Sequence, residues 1–362
     1  MATIQVRSSG GKYSVTLGSN VLRKIAANSA VAGRPCFVIT TPRVLGLHGE
    51  KLLAGFPRRE CPTVLLAPEG EQHKRLRTVE RLAQELVAAG ARRDALLLAF
   101  GGGMVGDITG FLASIYQRGV QYVQVPTTLL AQVDSAIGGK TGVDLPEGKN
   151  LLGSFHPPRA VISDINTLQT LNPREFHAGL FECIKCGIAC NAKLFRYMET
   201  NREAILRRDP RALQAVIEQS VRVKASLVSR DERESGERML LNFGHTFGHA
   251  LEAALNYKTL LHGEAVAWGM LAALKLSAKL GALDAPDAER AAALVRSYAT
   301  LRIFKAPEQR VLSSMSQDKK TTSTGRRFVL AAGIGKGFVA RGVPDNDVRS
   351  ALQEILRQAA AA

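Results

Sequence analysis

Ala95-Leu96-Leu97-Leu98-Ala99-Phe100-Gly101-Gly102-Gly103-Met104-Val105-Gly106-Asp107 is an apolar strand that runs directly into a glycine-rich turn and a helix. A strand with no polar alternation is buried on both faces, as in a parallel sheet with helices on either side. The surrounding sequence repeats the pattern. Strand-like runs occur at Tyr13–Leu17, Cys36–Thr40, Thr63–Leu66, Tyr122–Val125 and Ala160–Ser163. A helix is predicted over Thr78–Ala89, with Leu82 and Leu86 on one face and Gly90 as its stop. Residues 1–172 are therefore expected to form an α/β nucleotide-binding domain on a parallel sheet. After Leu171-Asn172-Pro173 the pattern becomes helical: Phe176–Ala192, Arg211–Ser229, Gly244–Ala254, Glu264–Leu280 and Asp287–Ser297. A strand signal returns only at Arg327–Ala331, and Leu356–Ala362 reads as the end of a last helix. Residues 173–362 are expected to form an all-α domain.

A chain of 362 residues is long enough for two such domains. No apolar run approaches the ~20 residues that span a bilayer, so no membrane partner is expected. The opening Met1–Gly18 has no apolar centre of the kind a secretory signal needs, so a cytoplasmic location is expected. The five cysteines show no disulfide-scaffold spacing, which fits a reducing compartment. Cys183, Cys186 and Cys190 form a helical stripe and are expected to pack rather than to bind metal. The net charge is 48 − 32 = +16, spread along the chain. With 6% aromatic residues and no nucleic-acid module, an anionic small substrate is the expected partner and nucleic acid is not.

Chemistry-bearing segments punctuate this frame. Gly103, Met104, Val105, Gly106 and Asp107 open a helix where a phosphate can approach backbone N–H groups, although the spacing departs from the usual G-x-G-x-x-G. Thr127 and Thr128, with Asp134 beyond them, follow a strand at the end where open α/β sheets bind ligands; capping of a helix by threonine is the alternative. Gly138-Gly139-Lys140-Thr141-Gly142 and Gly148-Lys149-Asn150 suit an oxyanion or phosphate in flexible backbone. Three of the seven histidines, His245, His249 and His262, fall within eighteen residues of Asn242–Glu264. His245 and His249 share a helix face, with Arg238 and Asn242 preceding them at helical spacing. Glu182 lies in an otherwise apolar helix with Lys185 three residues on, and an acidic side chain there needs a partner or a metal. It is the carboxylate that completes a two-histidine, one-carboxylate site with His245 and His262. A metalloprotease is ruled out, because Thr246 stands where H-E-x-x-H needs its glutamate.

The motifs G-G-G-M-V-G-D, V-P-T-T-L-L-A-Q-V-D-S, G-G-K-T-G-V, G-K-N-L-L-G, A-G-L-F-E-C-I-K, L-N-F-G-H-T-F-G-H and L-H-G-E-A-V occur in one order. Together they resemble the 3-dehydroquinate synthase family, from about Thr40 to Asp318-Lys319-Lys320. The resemblance implies an NAD-binding domain, a helical domain and an active site in the cleft between them. It implies zinc, with cobalt as a substitute, on Glu182, His245 and His262. NAD contacts would come from Glu69-Gly70-Glu71-Gln72-His73-Lys74, Gly103 to Asp107, Thr127, Thr128, Lys140, Lys149 and Thr167-Leu168-Gln169-Thr170. Substrate contacts would come from Asp134, Lys140, Asn150, Lys185, Lys224, Arg238, Asn242, His249 and a lysine of the Lys319-Lys320 pair. Arg118 resembles an arginine that reaches a partner subunit's phosphate site, which implies a homodimer. The implied reaction converts 3-deoxy-D-arabino-heptulosonate 7-phosphate to 3-dehydroquinate and phosphate in the shikimate pathway, leading to aromatic amino acids. The alternatives are another sugar phosphate cyclase and a metal-dependent polyol dehydrogenase. Two departures from the family pattern stand out: Cys186, where an aromatic is common, and Thr40-Thr41, which lacks an acidic residue for the adenosine ribose.

Overall fold

A computed structural model describes residues 1–317 and 327–361. Contacts divide the chain into two compact units, Met1–Asn172 with Leu213–Arg233, and Pro173–Ala212 with Glu234–Ala362.

The first unit is built on strands β1 (Ala2–Ser8), β2 (Gly11–Gly18), β3 (Cys36–Thr40), β4 (Thr63–Leu66), β5 (Leu96–Gly101), β6 (Gln121–Pro126) and β9 (Ala160–Asp164). Their order in the sheet is β1-β2-β9-β6-β5-β3-β4. Only the β1–β2 pair in this sheet is antiparallel. Alternate residues of β5 serve opposite faces, as strand geometry requires. Leu97 and Ala99 pack with Leu82 and Leu86 of α2 (Leu76–Ala88) and Ile108 and Leu112 of α3 (Gly103–Ile115). Leu96, Leu98 and Phe100 pack on the other side with Leu22, Ile25 and Leu52, the last from α1 (Pro42–Leu53). This two-sided burial is why the strand sequence carries no polar alternation.

The glycine- and lysine-rich stretch expected as flexible backbone is instead a two-stranded antiparallel ribbon, β7 (Lys140–Leu145) with β8 (Gly148–Phe155). Gly142 and Gly153 face each other across it. A Cβ on Gly153 would stand 2.2 Å from Thr141 O, and one on Gly142 would stand 2.6 Å from Leu152 O. The glycines serve close strand approach, and Thr141 and Val143 are buried. Helix α7 (Pro210–Arg230) also differs from expectation. The sequence pattern grouped it with the later helices, but Leu213–Arg233 belongs to the first unit. Hydrogen bonds tie it and the residues just beyond it there: Arg7 N donates to Ser229 Oγ at 2.9 Å, and Ser9 N to Glu232 Oε2 at 2.7 Å.

The second unit comprises α4 (Pro173–Cys190), α5 (Ala192–Thr200), α6 (Arg202–Leu206), α8 (His245–Ala254), α9 (His262–Lys279), α10 (Ala285–Ser297), α11 (Glu308–Gln317) and α12 (Asp345–Ala361). It is not wholly α-helical. The expected strand Arg327–Ala331, β10, pairs with β11 (Gly337–Arg341) in an antiparallel hairpin. Helix α9 is buried around most of its circumference and packs against α4, α8, α10 and α12. Cys183 and Cys186 are buried on α4.

Glycines set how closely α9 meets its neighbours. A Cβ on Gly263 would stand 2.0 Å from Ala178 O of α4. One on Gly269 would stand 2.0 Å from Gly244 O and 2.8 Å from Gly248 N, at the start of α8. Gly269→Ala is therefore expected to cost about 1–3 kcal/mol, the usual penalty of overpacking. Urea unfolding measures it, and an unchanged midpoint and slope would show that the helices part freely.

Candidate active site

Two groups of side chains carry the chemistry, one in each unit. In the second unit, α8 presents His245, His249 and Glu252 at i, i+4 and i+7 along one face. Helix α4 brings Glu182 and Lys185, and α9 begins at His262. The start of α9 is clamped. Arg174 donates from Nε to Glu264 Oε1 and from Nη2 to Glu264 Oε2, each at 2.7 Å, and Glu264 Oε2 accepts from Leu261 N at 2.8 Å. Such a bidentate pair fixes direction as well as distance.

The ligand atoms of His245, His249 and His262 lie within 4.8 Å of one another. Glu182 Oε1 is 3.5 Å from His262 Nε2 and 3.9 Å from His245 Nε2, with its side chain 1% exposed. Lys185 Nζ stands against Oε2. Among the described residues, Glu182 Oε1 accepts no hydrogen bond. A carboxylate this deeply buried, facing two imidazoles, fits a cation.

His245 is prepared as a neutral donor. Burial, with Lys185 and the two other imidazoles, pushes His245 well below the usual histidine range. Its Nδ1 faces Phe243 O at 3.3 Å, so Nδ1 carries the proton and Nε2 keeps its lone pair. For His262, burial acts to lower the pKa, but hydrogen bonding and charge from Glu252, with Glu182, raise it. Its Nδ1 is 3.1 Å from Glu252 Oε2, which leaves Nε2 toward Glu182. His249 differs from its neighbours in being exposed.

Arg238 and Asn242 do not continue the His245 helix as their spacing suggested. They lie on a 3-10 turn, Glu237–Asn242, and Gly244 at φ 79° breaks the backbone before α8. One carboxylate serves both. Glu234 Oε1 accepts from Asn242 Nδ2 at 2.5 Å, and its Oε2 is 3.8 Å from Arg238 Nε. Glu234 itself adopts a left-handed φ of 60°.

In the first unit, Gly102 caps α3 with no side-chain hydrogen bond, and Gly103 to Asp107 form its first turn. This leaves backbone N–H groups at the helix N-terminus, the usual phosphate cradle. Thr128 Oγ1 accepts from Ala131 N at 3.2 Å, so it does cap the segment beyond it. That segment, Ala131–Ser135, is a π-helical turn carrying Asp134. Lys224 Nζ donates to Asp134 O at 2.7 Å and to Asp134 Oδ1 at 2.5 Å.

Glu69 Oε1 accepts from Arg43 N at 2.9 Å, beside the Thr40-Thr41 strand end that lacks its own acid. Gly70 takes φ 96°, and Glu71–His73 form a short 3-10 turn. Thr167 to Thr170 end another, with Thr167 Oγ1 accepting from Gln132 Nε2 at 3.1 Å and Thr170 Oγ1 2.8 Å from His48 Nε2. Lys140 and Asn150 are exposed on the ribbon and Lys149 is half-buried. Arg118 is exposed in a turn where Gln117 and Arg118 take φ 52° and 69°. Lys319 and Lys320 lie outside the described residues.

Glu252, Glu234 and Arg174 were not singled out from sequence. Glu252 had a usable signal, its place seven residues after His245. Carboxylates that hold a ligating histidine commonly set metal affinity. Glu252→Ala is expected to weaken cobalt binding about 10–100-fold, followed by the metal's visible absorption. Unaltered affinity would make Glu252 a bystander.

The chain is similar to known proteins along nearly its whole length. The family models for the 3-dehydroquinate synthase N-terminal and C-terminal regions match residues 64–178 and 179–321. The chain is 43% identical to the 3-dehydroquinate synthase of Koribacter versatilis over 363 residues, covering 98% of each. It is 47% identical to that of Solibacter usitatus over 324 residues, 88% of this chain and 90% of the other. Among solved structures, a 2-epi-5-epi-valiolone synthase from Streptomyces hygroscopicus, with NAD+ and Zn2+ bound, superposes with a TM-score of 0.87 at 29% identity, covering 96% of this chain and 97% of that one. A 2-deoxy-scyllo-inosose synthase complexed with carbaglucose-6-phosphate, NAD+ and Co2+ gives 0.86 at 25%, covering 98% and 100%. Iron-containing alcohol dehydrogenases, at 13% identity and TM-scores of 0.64 and 0.65, share the fold alone. With family models spanning more than half its length and relatives above 40% identity across nearly all of it, the chain belongs to the 3-dehydroquinate synthase family.

Proposed function

We propose that this chain converts 3-deoxy-D-arabino-heptulosonate 7-phosphate to 3-dehydroquinate and inorganic phosphate. Family membership supports the activity. The observation that carries the site is Glu182, a buried carboxylate facing two imidazoles whose outer nitrogens are already engaged. Glu182, His245 and His262 would hold a divalent metal, zinc or cobalt. The first turn of α3, the Glu69–Lys74 segment, Thr127, Thr128, Lys140, Lys149 and Thr167–Thr170 would hold NAD. When bound, the metal would polarise a substrate hydroxyl and NAD would take up a hydride and return it, so that oxidation and re-reduction on either side of phosphate elimination leave no net redox change.

The chain's own groups bind, orient and balance charge. Lys140, Asn150, Asn242 and His249 have the donors that a departing phosphate needs, and His249 is the exposed member of its cluster. Lys319 is assigned to the same role by resemblance. Arg238 suits a carboxylate, with Glu234 keeping its guanidinium in place. Lys224 and Asp134 neutralise each other and form an ion pair suited to substrate hydroxyls. Lys185 balances Glu182 and stabilises neutral His245.

A homodimer in the cytoplasm is the proposed state, with Arg118 reaching its partner's phosphate site. The exposed, left-handed turn holding Arg118 supports a role outside its own fold. No helix among the described residues is long and apolar enough to cross a membrane.

Phosphate release from the heptulosonate phosphate, abolished by chelator and restored by zinc or cobalt, is the expected result. Release only from glucose 6-phosphate or sedoheptulose 7-phosphate would make the chain a sibling cyclase, and stoichiometric NADH would make it a dehydrogenase. Arg118→Ala is expected to lower turnover at least tenfold, as loss of a charged phosphate contact does. Mixing it with His245→Ala chains should regain activity above either alone; no regain means Arg118 acts, if at all, within its own chain.

A further inference from the structure

The turn Ile165–Thr170, whose last four residues are assigned to NAD, is gripped by buried side chains from elsewhere in the first unit. At Thr167 the grip comes from Gln132, which is fully buried. Its Nε2 donates to Thr167 Oγ1 at 3.1 Å and to Asp164 O at 3.0 Å. At Thr170 it comes from His48 of α1, a residue with no part in the motifs or in the proposed chemistry. His48 is 3% exposed while Thr170 is exposed. The imidazole therefore meets Thr170 from inside the fold and leaves its outer side to a ligand.

The hydrogens decide which partner gives. Thr170 Oγ1 donates to Thr167 O at 3.2 Å, and a threonine hydroxyl has one hydrogen. At its 2.8 Å contact with His48 Nε2, Thr170 is thus the acceptor and the imidazole the donor. The proton sits on Nε2, and Nδ1 keeps a lone pair, buried without a hydrogen-bond partner among the described residues. The opposite tautomer would leave a buried N–H unpaired, and such donors are rarely left so. Burial, with Lys51, lowers the His48 pKa against the opposing effects of Asp164 and the Thr167 backbone, so the neutral ring has a single hydrogen to place. Thr170 keeps an oxygen lone pair and has no hydrogen left to give. What it offers a ligand is an acceptor, matched to a ribose hydroxyl or an amino group.

We infer that His48 is a positioning residue for the cofactor: its Nε2–H fixes the Thr170 hydroxyl as an acceptor at the NAD site. The inference rests on the assignment of Thr167–Thr170 to NAD. A histidine that only filled space beneath α1 would matter for folding and be silent toward the cofactor.

Calorimetry of NAD on the zinc-loaded chain tests it. His48→Phe keeps a ring and removes the donor, and it is expected to weaken NAD binding about fivefold, the usual effect of one lost hydrogen bond. Thr170→Val should do the same, and the double variant should be no worse than the larger single loss, as for residues acting as a unit. His48→Gln places an amide N–H near the position of Nε2 and should return the affinity to within about twofold of the unaltered chain. KM for the heptulosonate phosphate at saturating NAD should not move in His48→Phe. Nitrogen NMR of the histidine-labelled chain, with His48 assigned by its loss in His48→Gln, should show the Nε2–H tautomer with NAD bound. If His48→Phe fails to fold, the tautomer decides, and a proton on Nδ1 overturns the inference. Unchanged NAD affinity in His48→Phe beside a loss in Thr170→Val overturns it while leaving Thr170 at the cofactor. So do losses that multiply, a failure of His48→Gln to restore affinity, or a loss that falls on KM for the sugar phosphate. Unchanged NAD affinity in Thr170→Val removes that hydroxyl from the NAD site, and its positioning falls too; chelator-sensitive phosphate release still tests the reaction by itself.

Discussion

A carboxyl group has to be held at position 182, inside an apolar helix and out of water, and the second unit is arranged around that demand. Burying an ionised carboxylate is costly unless positive or coordinating groups surround it. Lys185 comes from the same helix, His245 from α8 and His262 from α9. None of these could converge unless the three helices packed closely, and the glycines at 263 and 269 allow that. The Arg174–Glu264 pair then fixes where α9 begins and so where His262 points. Packing, capping and charge are one problem here. A change made to any of them is felt by the others.

The first unit handles anions differently. At the start of α3 it relies on backbone N–H groups, which are dipoles and need no counter-charge. Where full charges are used they come in matched, partly buried pairs, Lys74 with Asp107 and Lys224 with Asp134. Such pairs add little net charge but fix direction. The overall +16 is therefore carried largely by surface residues, and the chemistry of the sites is set by neutral or balanced groups.

Much of this was legible in the sequence wherever apolar residues run together. The strands β3, β4 and β10 follow their apolar runs residue for residue. What sequence patterns missed is non-local. The β1 strand alternates in a polar opening, with only Ile4 and Val6 buried, and shows itself through pairing with β2. The β7–β8 ribbon has a loop's composition, because its glycines serve strand approach. Association of α7 with the first unit includes contacts of Ser229, and of Glu232 just beyond the helix, with residues more than two hundred positions earlier. In the site, the histidines and Glu182 announced themselves by density and by incongruity. Glu234 could not, since it sits in a run of charges and its importance comes from a left-handed backbone that sequence does not display.

The turn at Ala131–Ser135 constrains length as well as composition. A π-helical turn holds one more residue than an α-helical one, and such insertions cluster where a side chain has to be re-aimed. Here the re-aimed residue is Asp134, caught from outside by Lys224. Losing a single residue from this turn would let it relax into regular helix and rotate the downstream residues by about 100°, one residue's share of a helical turn. The spacing between the paired threonines and Asp134 is thus a ruler of fixed length. Homologous chains can vary its letters, but a change in its count would re-aim the aspartate away from its lysine.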